Sequence, residues 1–236
     1  MAAPPPPPQL RLPYEPHPEC GFCPRLAGFR KVLKTAQPGW HNAPVPFFGA
    51  IDARLLVVGL APGLNGANRT GRPFTGDFAG ELLYRTLIEY GFAVGTYDAR
   101  PDDGLRLVSS AITNAVRCVP PQNKPESSEI NNCRPFLTQT ILAMPNLRAI
   151  VALGRIAHES VVRAYGLRLA LLPFAHSSQY VLGNESAAAV GALARAKPVL
   201  LFDSYHCSRY NTNTGVLTKE MFREVFAKVR ERLAVS

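Results

Sequence analysis

The chain contains no run of apolar residues approaching the length of a membrane-spanning helix. Its conspicuous glycine-rich stretch, Gly59–Asp77 (GLAPGLNGANRTGRPFTGD), has no Gly-Lys-Ser/Thr ending and misses the G-x-G-x-x-G spacing, so neither a Walker A loop nor a dinucleotide fingerprint is present. A second cluster of acids, which a metal-dependent nucleotide hydrolase would need, is missing as well. The opening MAAPPPPPQL lacks the basic region and apolar core of a secretory signal, so a cytoplasmic location is expected. Residues 1–16 read as a flexible Pro-rich leader and residues 17–236 as a single domain. Acids are scarce relative to bases: 17 Asp+Glu stand against 26 Lys+Arg, a formal net charge of +9, which favours a nucleic acid or another polyanion as partner. Cysteine is the remaining shortage. Five thiols, an odd number, argue against a disulfide framework.

What is present fits one α/β domain: 236 residues, 47% of them hydrophobic. Four apolar runs have the length of buried strands, Arg54–Gly59, Ala111–Val116, Ala149–Leu153 and Val199–Phe202. Helical patterns cover Phe78–Tyr90, Glu126–Met144, Gly154–Tyr165 and Lys219–Leu233, with a short helix in Cys20–Lys34 and a further Ala-rich candidate at Ser186–Ala196. Strands alternating with helices predict a three-layer α/β/α fold around a four-stranded parallel sheet. Ligands of such sheets bind beyond the carboxyl ends of the strands. The glycine loop, the Asn114–Cys118 segment and the stretch Asp203–Asn213 should therefore converge on one cleft.

Cys20 and Cys23 form a C-x-x-C pair, and Cys118 and Cys133 are separated by fourteen residues. Four thiolates so arranged suit one metal centre, either zinc or an iron–sulfur cluster. Cys207 stands apart. His206, just beyond the last strand run, suits a loop touching a polar ligand. Arg69, Arg72, Arg117 and Arg209 lie near the loops of the cleft. His158 reads as structural and His176 is left open.

Three stretches together, GLAPGLNGANRTGRPFTGD, ITNAVRCVPPQNKP and SYHCSRYNTNTG, with the four cysteines, resemble family 5 of the uracil-DNA glycosylase superfamily, the B-type iron–sulfur enzymes. The likeness runs from about Cys20 to the final helix. It implies hydrolysis of the N-glycosidic bond of a damaged base in DNA, including uracil, hypoxanthine and some modified pyrimidines. It also implies a structural [4Fe–4S] cluster on Cys20, Cys23, Cys118 and Cys133. No lysine occupies a motif as a Schiff-base nucleophile, so a monofunctional enzyme is expected.

The target nucleotide must be flipped out of the stack. Phe74 is placed to stack on it, and Asn114 to read its edge. The amides around Leu60, Ala61 and Gly63, with His206 as a neutral donor, would stabilise the leaving base. Sister families carry a glutamate where this chain has Leu60. The task of orienting water then falls to Asp77, whose competing role is to cap the helix beginning at Phe78. Asn123 matches a position tied to catalysis or substrate contact. Arg69, Arg72, Ser208, Arg209, Tyr210 and Asn211 would grip DNA or fill the space the base leaves. Damaged DNA is the expected partner, no protein partner is inferred, and a monomer is the default. The rival reading is a non-catalytic DNA-binding module whose cysteines hold zinc.

Overall fold

The computed structural model describes residues 15–183 and 198–234. The expected helix Ser186–Ala196 and nearly all of the Pro-rich leader lie outside the described residues.

The chain enters through α1 (Pro24–Ala36), with proline in the first turn, where its missing N–H has no helical partner to lose. A two-residue strand β1 (Phe48–Gly49) precedes β2 (Leu55–Gly59). The glycine loop follows, carrying the single turn α2 (Ala67–Thr70), and ends at α3 (Phe78–Glu89). Next come the small antiparallel ribbon of β3 (Ala93–Val94) and β4 (Arg106–Leu107), then β5 (Ser110–Asn114). α4 (Ser127–Ala143) begins where the backbone N–H of Glu126 donates to the Glu129 carboxylate at 2.7 Å. After it come β6 (Ala149–Leu153), α5 (Arg155–Ala164), β7 (Gln179–Leu182) and β8 (Val199–Ser204). The short α6 (Arg209–Asn213) and the long α7 (Lys219–Ala234) close the fold.

The main sheet runs β1-β5-β2-β6-β8-β7. Its four central strands are parallel, as the apolar runs predict, and β1 and β7 add antiparallel edges. β2, β5 and β6 are buried at every residue because helices cover both faces. Alternation divides them cleanly. Leu55, Val57, Ile112 and Val151 pack with Leu83 and Leu87 of α3 and with Phe222 and Phe226 of α7. Leu56, Val58, Ala111 and Ile150 face the other way, toward Leu137 and Ile141 of α4 and Val161 of α5. Each of the fully buried Leu, Ile and Val side chains is worth about 1.5–3 kcal/mol relative to exposure, which sets the register of the sheet.

From β2 the chain crosses to β5 on one side and then returns to β6 on the other. That reversal leaves a crevice at the carboxyl end of β2, where the glycine loop starts. Among the described residues no helix is long and apolar enough to cross a membrane.

Candidate active site and cysteine centre

The crevice is a cavity of about 680 Å³. Leu60, Ala61 and Gly63 line it from the start of the glycine loop, and Phe74 and Asp77 from its end. Asn114 and Asn123 enter from the β5 side, and His206, Ser208 and Arg209 from beyond β8. Leu64, Asn65, Gly66 and Phe78 also line it, although the sequence reading singled none of them out. For the first three the signal was membership of the loop itself, and Phe78 opens the helix that follows it.

Gly59 explains how the innermost wall is built. It is the register partner of Asn114, and a Cβ placed on it would fall 2.5 Å from Cζ of Phe74 and drive into Oδ1 of Asn114. Only a bare backbone lets the aromatic ring and the amide approach the sheet end together. Asn114 is 2% exposed, and among the described residues its Oδ1 accepts no hydrogen bond. A buried carbonyl left bare costs about 1–3 kcal/mol unless a ligand supplies the donor.

Phe74 has φ +52°, a left-handed conformation unfavourable for an aromatic residue, at a cost of about 1–3 kcal/mol that its surroundings must offset. Tyr97 Oη donates to its carbonyl at 3.1 Å, and Tyr84 Oη to the preceding Pro73 carbonyl at 2.6 Å. Behind them lies Arg72. Its Nε donates to Thr75 Oγ1 at 2.7 Å, while Nη1 and Nη2 reach both Asp103 oxygens at 2.8 and 2.7 Å. Its guanidinium sits 5.4–5.8 Å from the ring centroids of Phe48, Tyr84 and Tyr97. At 5% exposure Arg72 cannot reach a DNA phosphate, which corrects its assignment to the DNA-gripping set. It clamps the loop from inside. Arg117 is likewise enclosed, at 1% exposure, against Glu15 and Thr140.

Asp77 is the N-cap of α3, with Oδ1 accepting from the Gly80 N–H at 3.0 Å. Its other oxygen lies against the far side of the loop, where a Cβ on Gly66 would sit 2.5 Å from Oδ2. Burial pushes the carboxyl above its ordinary range, against the Gly80 and Ala79 N–H groups that favour the anion. The expected alternatives, cap or site residue, are thus compatible in one side chain.

His206 is half-buried on the opposite wall, its ring stacked at 6.2 Å and 27° from that of Phe74. Burial pushes its pKa down to about 4, so the imidazole is neutral near pH 7. Two residues of the expected DNA-contact set also brace its loop. Asn211 donates its side-chain amide to the His206 carbonyl at 2.8 Å, and Ser208 caps α6 by accepting from the Asn211 N–H. The other open question among the histidines resolves similarly. His176 Nδ1 accepts from the Tyr205 N–H at 3.1 Å and its ring stacks on Tyr205, propping the loop that carries His206. His158 is walled into the core between the Asp203 carboxylate and the Leu172 carbonyl, both at 2.8 Å. Arg69 stays exposed beside the loop, Tyr210 is 74% exposed, and the Arg209 guanidinium lies 5.4 Å from the Phe78 ring at the cavity mouth.

Cys20, Cys23, Cys118 and Cys133 all line one small recess walled by Leu26, Val116 and Phe136. Donors point at the sulfurs: the Arg117 N–H at Cys133 (3.2 Å), Arg30 at Cys118 (3.3 Å) and Asn132 at Cys23 (3.9 Å). Among the described residues no group of three or more Cys, His, Asp or Glu closes around a single metal ion. Four thiols facing a shared apolar recess, with N–H groups aimed at sulfur, fit a cluster that gives each thiolate its own iron. Arg25 on α1 ties this centre to the cavity. It donates to Glu129 at 2.7 Å and to the Lys124 carbonyl at 3.1 Å, next to Asn123 at the cavity rim.

A family model described as "Uracil DNA glycosylase superfamily" matches residues 46–230. A "Type-5 uracil-DNA glycosylase" of Thermus thermophilus is 43% identical over 221 residues, covering 91% of this chain and 94% of that protein. Another of that description, from Pyrobaculum aerophilum, is 37% identical over 89% of this chain and 87% of its own length. A "Type-4 uracil-DNA glycosylase" of Sulfurisphaera tokodaii is 31% identical over 79% of this chain and 73% of its own. The chain belongs to the uracil DNA glycosylase superfamily, on its type-5 branch.

The Arg72 clamp makes a testable demand on stability. The guanidinium holds the Asp103 carboxyl well below the usual carboxylate range. A depressed folded pKa gives stability that is present above the unfolded value, about 4, and lost as pH falls. Arg72→Met leaves Asp103 buried without its partner and is expected to lower unfolding free energy by about 3–5 kcal/mol at pH 7. Urea titrations at pH 7 and pH 3 check this: the gap between the two proteins should narrow at the lower pH.

Proposed function

We propose that this chain is a monofunctional DNA glycosylase that hydrolyses the N-glycosidic bond of uracil in DNA, and also of hypoxanthine and some modified pyrimidines. The observation that carries this reading is the meeting of Phe74, Asn114, His206 and Asp77 around one cavity, each offering a different function to a flipped nucleotide. Phe74 gives a flat apolar wall for the base. Asn114 offers a buried, unsatisfied carbonyl, complementary to the imide N–H of uracil.

As the C1′–N bond breaks, its electron pair goes to the base and the sugar carbon becomes electron-poor. The neutral His206 imidazole and the N–H groups of Leu60, Ala61 and Gly63 are the donors available to the departing base. Pro62 has no N–H to give. Asp77 faces the developing cation and orients the water whose oxygen bonds to C1′ while its proton is given up. Its raised pKa suits it to receive that proton. None of the residues lining the cavity is a lysine, which supports water as the nucleophile. Arg69, Arg209 and Tyr210, outside or at the mouth, are the DNA contacts in this reading, with Asn123 touching substrate from the rim. The protein acts as a monomer.

Cys20, Cys23, Cys118 and Cys133 would hold a [4Fe–4S] cluster, which when bound cross-links α1 to the loop after β5 without entering the chemistry. Burial pushes the Cys118 and Cys133 thiols up to about 12 and 11. Left free, they would be neutral and inert.

Incubating the protein with uracil- or hypoxanthine-containing DNA and scoring abasic sites tests the activity. Release is expected from both, and no release from either would refute the reading. Asn114→Ala should slow uracil release by roughly tenfold to a hundredfold, the worth of one hydrogen bond to a group gaining charge, and hypoxanthine release less. Equal losses would remove Asn114 from reading the base. Purified protein is expected to be brown, with roughly four irons and four sulfides per chain, and Cys118→Ser should lose both. Colourless protein with stoichiometric zinc would favour the DNA-binding module instead.

A further inference from the structure

Ala67, at the start of α2, lines the active-site cavity, while Arg69 and Thr70, at its end, line a second recess of about 410 Å³. Its other walls are Trp40 with His41 and the segment 99–101, which carries Arg100. No carboxylate is among its lining residues. Both walls are fastened to the glycine loop. The His41 N–H donates to the Arg69 carbonyl and the Asn42 N–H to the Asn68 carbonyl, each at 3.1 Å, while Asn68 Nδ2 reaches Asn42 Oδ1 at 2.9 Å. Opposite, Arg72 Nη1 donates to the Pro101 carbonyl at 3.4 Å, beside its Asp103 pair. The recess is therefore built by the loop that forms the active site.

Its chemistry is two guanidiniums beside an indole. Arg69 uses Nε on the Asn65 carbonyl and remains exposed. Arg100 pairs with Asp98 at 3.2 Å, both side chains being more than 60% exposed. An exposed pair of that kind is worth about 0–1 kcal/mol, so a phosphate can take the place of the aspartate. Cations that track a backbone beside an aromatic face that stacks a base are how proteins grip single-stranded nucleic acid.

We propose that this recess holds the nucleotide next to the flipped one on the damaged strand, its phosphate between Arg69 and Arg100 and its base against Trp40. The assignment rests on the glycosylase reading. Gripping the neighbour would keep the strand distorted while the target base occupies the cavity one helical turn away, at the other end of α2.

Trp40 is the only tryptophan of the chain, so its fluorescence reports on the recess. The full chain is titrated with 2′-fluorinated deoxyuridine, which resists glycosidic cleavage, as the free nucleoside and within a single-stranded pentanucleotide. Base release from ordinary uracil-DNA is measured alongside. The pentanucleotide should quench Trp40 and the nucleoside should not, and lengthening should tighten binding by roughly fivefold to a hundredfold, the range for one stacked base. Trp40→Ala should abolish most of that gain and Trp40→Phe should restore it, which a merely misfolded variant would not do. Arg100→Ala should reduce the salt dependence of binding by roughly one phosphate. Base release with no quenching, and with the length gain intact in Trp40→Ala, overturns the recess alone. Quenching without base release from any substrate overturns the glycosylase reading, and with it the place of this nucleotide beside a flipped one.

Discussion

The hydrogen bond from the Gly80 N–H to Asp77 Oδ1 fixes more of this molecule than its 3.0 Å length suggests. It starts α3, and α3 carries Leu83 and Leu87 into the core on one face of the sheet. By holding one oxygen in the cap, it also directs the other toward Gly63 and Gly66, across the cavity mouth. A carboxylate held by the cap on one side and packed against the loop backbone on the other keeps its orientation. That is the condition for meeting a positive charge that exists only while a bond is breaking. In the proposed reaction the cap and the water-orienting role share one geometry.

Two supports stand behind that arrangement, and they are chemically different. The glycine loop is held from within by Arg72, whose charge is matched by Asp103 and enclosed by three aromatic rings. The rim that carries Asn123 is held from outside, through Arg25 and Glu129, by the segment bearing the cysteines. A mobile loop would lose the left-handed Phe74 conformation that sets its ring against the cavity. In the proposed reaction rigidity is a requirement, because a flipped nucleotide must find its wall already in place.

The central strands were legible because helices cover both faces, so LLVVG and AIVAL read as unbroken short apolar runs. The edges were not. β1 is two residues long, and β7 buries only Leu182 fully, so neither makes a pattern that stands out from a loop. The meeting of the glycine loop, Asn114 and His206 followed from the rule that parallel strands point their carboxyl ends one way. Arg72 misled because nothing near it in sequence announces a buried guanidinium. Its partner Asp103 lies 31 residues on, and Phe48 and Tyr97 are also far from it along the chain. Asn211 shows the same limit on a smaller scale, since its side-chain amide is taken up by a carbonyl of its own loop. Trp40 and Arg100 stand 60 residues apart, and only the fold makes them one recess.

The most direct test uses a substitution that keeps the cap and removes the charge. Asparagine caps a helix about as well as aspartate, so Asp77→Asn should fold, keep α3 and bind uracil-containing DNA. Its single-turnover rate of base release should nevertheless fall by roughly a hundredfold or more, the usual weight of a positioned acid–base group. A variant that binds DNA and releases uracil at close to the unsubstituted rate would show that Asp77 is a helix cap alone, and would contradict the account.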